Sequence, residues 1–81
     1  MSRFDKLLDK IDRLDNDLRF SELKKVLEYY GYECRYPLGG SSQCVFRKRG
    51  EAPVVIPYKS KIDIVYVRMV KDVVEMEKRN G

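Results

Sequence analysis

The stretch that decides the fold is residues 32–57, YECRYPLGGSSQCVFRKRGEAPVVIP. Residues 32–36 alternate between polar and apolar side chains, as a half-buried strand does, and residues 43–47 indicate a second strand. Residues 53–57 are rich in β-branched side chains and bounded by prolines, which is typical of a third strand. The tetrapeptides PLGG and KRGE supply the turns between them. Because the three strands follow one another closely, we expect an antiparallel meander.

Amphipathic helices are predicted on both sides of this stretch. Apolar residues recur at helical spacing over 3–14 and again over 21–30, where Ser21 is the expected N-cap. After the strands, Asp63 is the expected N-cap of a last helix over 64–78. The order of helix, helix, three strands and helix predicts an α+β domain in which the helices cover one face of the sheet.

The size and composition of the chain restrict its class. A length of 81 residues allows one small domain, and the 43% hydrophobic and 37% charged residues favour a folded chain. We expect a cytoplasmic protein without a membrane partner, since no apolar run is long enough for a span and the N-terminus does not resemble a signal peptide.

The two cysteines, Cys34 and Cys44, are too few for a disulfide framework. We expect both to be small buried hydrophobic residues within strands, and the alternative is a reactive thiol at Cys44. The chain has no histidine and no CxxC pair, so a zinc site is not expected. Neither GxxxxGK nor GxGxxG occurs, so we expect no small-molecule cofactor.

Positive charge is concentrated in the middle of the chain. Residues 1–34 contain seven basic and eight acidic residues, and residues 62–81 are balanced, whereas residues 35–61 contain six basic residues and one acidic residue. The six are Arg35, Arg47, Lys48, Arg49, Lys59 and Lys61. This pattern is typical of a surface that faces phosphate, and the alternative is a solubilising surface. The first predicted helix mixes both signs of charge, so we interpret its exposed side as solvated rather than binding.

Residues 40–47, GSSQCVFR, resemble the GSSH-x-x-F-R signature of HicA-like toxins. The segment SELKKVL at 21–27 and the pair Gly31-Tyr32 are similar to that family's first helix and the GF that follows it. The segment VVIP at 54–57 resembles its third strand. Residues 62–70 resemble its closing helix.

The resemblance covers about residues 18–76, which divides the chain into an N-terminal helical extension, residues 1–17, and a HicA-like RNA-binding domain, residues 18–81. It implies a fold like that of double-stranded-RNA-binding domains, α-β-β-β-α. It also implies metal-independent cleavage of mRNA within a type II toxin–antitoxin system, blocked by a HicB-like antitoxin protein. Gly40, Ser41 and Ser42 would then position the scissile nucleotide, and the six basic residues would bind phosphate.

The chain departs from the family at Gln43, which occupies the position of the catalytic histidine. An amide can donate a hydrogen bond but does not titrate near neutral pH, and general acid–base catalysis contributes about 10²–10⁴ in rate. Tyr36, Tyr58 and Lys59 are the nearest substitutes, but such side chains ordinarily stay protonated at neutral pH. We therefore expect an impaired nuclease, whether Gln43 was introduced or arose naturally. The alternatives are an RNA-binding domain without catalysis and a domain that binds an acidic protein such as the antitoxin.

Overall fold

The computed structural model describes residues 3–35, 43–59 and 61–80. Their elements, in chain order, are α1 (Arg3–Asp12), α2 (Phe20–Tyr29), β1 (Glu33–Arg35), β2 (Gln43–Arg47), β3 (Val54–Pro57) and α3 (Ile64–Asn80). This order confirms the predicted α+β class, with three helices and a three-stranded sheet. No helix within the described ranges has the length and apolar character needed to cross a membrane.

The sheet is the predicted antiparallel meander, with strand order β1-β2-β3. Glu33 pairs with Arg47 across the first ladder, and Val45 pairs with Val55 across the second. Burial alternates along β2, where Cys44 and Phe46 are buried and the side chains between and beside them are not. One face of the sheet therefore packs into the core, and the other, which we call the open face, points toward solvent.

The core lies between the buried face of the sheet and the three helices. Its sheet residues are Cys44, Phe46, Val54 and Ile56, and its helical residues include Leu7, Ile11, Leu23, Val26, Leu27, Val67, Val70 and Val74. Full burial of one such side chain contributes about 1.5–3 kcal/mol, so the packing of all three helices depends on this one layer.

Helix α1 supplies part of this core. Leu7 and Ile11 are 7% and 1% exposed, and the ring of Phe4 lies 4.3 Å, centroid to centroid, from that of Tyr29. The segment that the HicA comparison leaves outside the family's domain is thus packed on α2 and α3 rather than detached from them.

Helix α2 begins earlier than predicted. Arg19, with extended backbone angles, is the N-cap, and the backbone N–H of Arg19 donates to Glu22 Oε1 at 3.0 Å. The prediction of Ser21 as the N-cap is therefore wrong, because the Glu22 carboxylate reaches back to Arg19 and the buried Phe20 belongs to the helix. The predicted stop at Gly31 is confirmed by its φ of +94°, which favours glycine.

The two cysteines form a disulfide, with an Sγ–Sγ distance of 2.07 Å and a Cα–Cα distance of 6.2 Å. Cys34 pairs with Phe46, so Cys44 is its diagonal neighbour on the same face of the adjacent strand. The expectation of two unpaired buried cysteines is wrong, and so is the alternative of a reactive thiol at Cys44. A count of cysteines cannot reveal this pairing, because it depends on the strand register.

Candidate nucleic-acid interface

The open face of the sheet carries Arg35 and Arg47, two of the six predicted RNA-binding residues that the structure describes. Strand alternation and register place Glu33 and Arg35 of β1 on this face beside Gln43, Val45 and Arg47 of β2. All are exposed except Val45, which is half-buried. The face is therefore a polar surface with an apolar centre, built on a ladder that the disulfide ties together.

An open hollow of about 490 Å³ lies at the end of this face nearest the β2–β3 turn. It is lined by Glu33, Arg35, Arg47, Lys48 and Arg49. Three guanidinium groups and one ammonium group thus share a surface with a single carboxylate. A hollow with this charge balance attracts anions.

Glu33 partly neutralises that positive charge through a weak, exposed ion pair. Its Oε1 lies 3.2 Å from Arg35 Nη2, and the two side chains are 68% and 66% exposed. Exposed ion pairs of this kind contribute about 0–1 kcal/mol, so a phosphate oxygen can displace the carboxylate. Sequence reasoning missed Glu33, although the alternation of β1 puts it on the same face as Arg35.

The side chain of Lys48 does not lie on the open face, because it forms an ion pair with a residue of α3. Its Nζ lies 2.7 Å from Glu77 Oε1 of α3, with the two side chains 28% and 13% exposed, and 5.7 Å from the centroid of the Tyr32 ring. Alternation at the end of β2 turns Arg47 toward the open face and Lys48 toward the helices. The cations that remain for a ligand in the hollow are Arg35, Arg47 and Arg49.

Gln43 stands at the other end of β2 from these arginines. It is exposed and pairs with Pro57 of β3. Arg47 is four residues further along the strand, which corresponds to about 14 Å. Arg35, paired with Val45, is the diagonal neighbour of Gln43 on the same face and so lies between the two ends.

The other predicted site residues are distributed differently. Lys59 lines a separate hollow with Arg19, Phe20, Ser21 and Tyr58. Lys61 is exposed between β3 and α3. Gly40, Ser41, Ser42 and Tyr36 lie outside the described residues, as does the predicted turn at 37–40.

Two tyrosines between α2 and β1, Tyr30 and Tyr32, are poorly suited to act as bases. Burial raises the pKa of Tyr32 above its ordinary value of 10.0, and the carboxylates of Glu51 and Glu77 raise it further. Burial likewise raises the pKa of Tyr30, with smaller contributions from Tyr29 and Glu77. A higher pKa keeps a phenol protonated as the pH rises, so neither hydroxyl is suited to abstract a proton near pH 7.

Within the described ranges no group of three or more aspartate, glutamate or cysteine side chains is arranged to hold a metal ion. Comparison of the chain with protein-family models, with curated proteins and with solved structures finds no match. The similarity to HicA-like toxins is therefore carried by the quoted segments of this chain alone.

Proposed function

We propose that the chain binds RNA through the open face of its sheet, as a HicA-like toxin domain whose nuclease activity is impaired at Gln43. The observation that carries the proposal is the convergence of Arg35, Arg47 and Arg49 on one exposed surface that also holds Gln43. The target class is mRNA, as the resemblance implies. The arrangement from α2 to α3 has the order α-β-β-β-α of double-stranded-RNA-binding domains, which supports the same proposal.

Arginine suits this role because its planar guanidinium donates two parallel hydrogen bonds to one phosphate. Arg47 is two residues along β2 from Val45, the partner of Arg35, which corresponds to about 7 Å, and Arg49 follows in the turn. Three arginines spaced in this way match a chain of phosphates better than a single anion. The half-buried Val45, opposite Arg35 and beside Arg47 on this face, offers apolar contact to a base or ribose. The three arginines and Val45 are therefore sufficient for RNA binding by this face.

Cleavage needs a proton-transferring group such as imidazole, and the chain contains no histidine. Transfer of a proton from the ribose 2′-OH requires a side chain that titrates near neutral pH. The Gln43 amide can donate a hydrogen bond to a phosphate oxygen but cannot accept and return a proton. The proposed function is therefore RNA binding, with RNA cleavage slow or absent.

Removal of the three guanidinium groups tests the proposal. In Arg35→Ala/Arg47→Ala/Arg49→Ala, the affinity for a single-stranded RNA of about 12 nucleotides should fall about 100-fold, since each exposed contact contributes about 1 kcal/mol. Fluorescence anisotropy at several salt concentrations measures this loss. Because the open face makes three phosphate contacts with a single strand, the slope of log K against log salt should be less steep by about 2 in the variant than in the parent.

Arg68→Ala is the matched control, because Arg68 is an exposed arginine of α3 in the helical layer. It should leave the affinity within about twofold of the parent. Equal losses in the triple variant and the control, or no binding by the parent at low salt, would refute RNA binding by the open face.

An acidic protein is a second candidate, and the half-buried Val45 and the 36%-exposed Val55 favour it. Apolar side chains flanked by arginines are common in protein–protein interfaces. A HicB-like antitoxin that covers the open face would compete with RNA. Release of bound RNA by such a protein, and the loss of that release in the triple variant, would support this candidate.

A further inference from the structure

We propose that the groove between α1 and α2 is a second phosphate-binding surface, which holds the phosphodiester backbone of RNA independently of the open face. Its basic side chains are Arg3, Lys6, Lys10 and Lys25, and its volume is about 280 Å³. The choice of RNA as the ligand rests on the proposed function. The surface itself rests on a separate set of residues.

Helical periodicity sorts the charges of α1 onto two sides. Arg3, Lys6 and Lys10 are spaced i, i+3 and i+7, so they form one stripe, and this stripe lines the groove with α2. Asp5, Asp9 and Asp12 form a second stripe, which lines a different hollow with Lys78 of α3. A helix that is nearly neutral overall therefore presents a basic side and an acidic side.

The acidic stripe is partly neutralised by neighbouring cations, whereas the basic stripe is not. Asp9 Oδ2 lies 3.6 Å from Arg13 Nε, and Asp12 Oδ1 lies 3.9 Å from Lys71 Nζ. The cations of the groove form no ion pair with any other residue that the structure describes. Their charge is thus available to an anion from solution.

One carboxylate also lines the groove, that of Glu22. Its Oε1 accepts the hydrogen bond from the Arg19 backbone N–H, which holds the carboxylate at the start of α2. Four cations therefore face one anion, and that anion already has a backbone partner. The surplus favours binding of a ligand that carries several negative charges.

The shape of the surface favours an extended polyanion. From Arg3 to Lys10 the stripe extends about 10 Å along the helix axis, since each residue adds about 1.5 Å. Leu7, 7% exposed, forms the floor of the groove. A membrane surface fits less well, because the apolar side of α1, with Leu7 and Ile11, is buried in the core and cannot insert into lipid.

The test is an NMR titration of the full chain with a single-stranded RNA of about six nucleotides, short enough to report each surface separately. Backbone amide shifts of α1 and α2 should change in the parent and in Arg35→Ala/Arg47→Ala/Arg49→Ala. In Lys6→Ala/Lys10→Ala/Lys25→Ala these changes should vanish, while those of β1 and β2 remain. With longer RNA this groove variant should bind at least about tenfold more weakly, and its salt slope should be less steep by about 2.

Two controls complete the experiment. Lys24→Ala changes the lysine beside Lys25 outside the groove and should leave the α1 and α2 shifts intact. Vesicles that contain phosphatidylserine separate RNA from lipid as the source of phosphate. Alanine favours helix, so circular dichroism should show the groove variant to be folded.

The result that would overturn the groove is an absence of RNA-induced shifts in α1 and α2, or their loss in the open-face variant as well. Binding to vesicles without binding to RNA would also overturn it. Shifts confined to the sheet would refute RNA binding by the groove and leave RNA binding by the open face intact. Shifts confined to α1 and α2 would refute RNA binding by the open face and leave RNA binding by the groove intact.

Discussion

The two basic surfaces differ in how the sequence encodes them. The cations of the open face lie close together in the chain, at Arg35, Arg47 and Arg49, and a simple count of charge reveals them. The cations of the groove belong to a segment in which acidic residues outnumber basic ones. Strands and hairpin turns concentrate neighbouring charges, whereas a helix distributes them around its axis. Net charge per segment therefore detects the first kind of surface and conceals the second.

The surfaces also differ in rigidity and chemistry. The open face is built on a hydrogen-bonded ladder with a disulfide and carries arginines at one end and Gln43 at the other. The groove carries mostly lysines, which act as point charges, on two helices held by packing. The open face is thus suited to fix the geometry of a nucleotide, and the groove is suited to hold a backbone without defining its position.

The largest expected effect comes from restoring a titratable group to the open face. Gln43→His should increase the rate of RNA cleavage about 10²–10⁴-fold, because imidazole transfers protons near neutral pH. Gel analysis of end-labelled RNA measures the rate, and Gln43→Asn is the control that should show no gain. Adding the three groove substitutions should raise KM and leave kcat unchanged, since the groove contributes only binding.

If the histidine variant cleaves no faster than the parent, the catalytic part of the HicA comparison fails, and RNA binding by the open face stands on its own test. If the groove substitutions lower kcat, the two surfaces are not separate in the way proposed.

The second effect concerns the rigidity of the open face. Cys34→Ala/Cys44→Ala should lower the free energy of unfolding by roughly 3 kcal/mol, because the disulfide closes a loop with a sequence separation of 10. Urea denaturation measures the loss, and reduction of the parent should reproduce it. RNA-induced shifts should weaken on β1 and β2 and persist on α1 and α2. Stabilities equal within about 0.5 kcal/mol would contradict a stabilising role for the bond.

The smallest effect concerns the cation that belongs to neither surface. Lys48→Met should lower the free energy of unfolding by about 1–2 kcal/mol, because it leaves the Glu77 carboxylate, 13% exposed, without its partner. RNA affinity should stay within about twofold of the parent. The double variant Lys48→Met/Glu77→Gln should recover part of the stability. An affinity loss as large as that of Arg49→Ala would show that Lys48 binds RNA after all.

Much of the fold follows from local patterns in the sequence. The three strands, their meander and the start of α3 after Asp63 were predictable, because strand alternation, prolines and caps act over a few residues. The start of α2 was not, because the backbone N–H of Arg19, rather than the predicted Ser21, is capped by the Glu22 carboxylate. Local sequence patterns thus predict the existence of helices and strands more accurately than their first residues.

The errors at the site share one cause, which is contact across elements. The disulfide depends on the register of β1 against β2, and the ion pair of Lys48 depends on how α3 packs. The groove exists because α1 joins the core through Leu7 and Ile11, so that its basic side meets α2. None of these distances can be read from a pattern within one segment.

The Cys34–Cys44 bond also makes this domain a scaffold for display. It closes the connection between β1 and β2 into a covalent ring whose ends are held 6.2 Å apart at Cα. The entropy of loop closure grows slowly with length, by about 0.6 kcal/mol for each doubling, so longer foreign peptides could replace the native connection at little cost. A library inserted there would be presented as cyclic peptides on a small folded support.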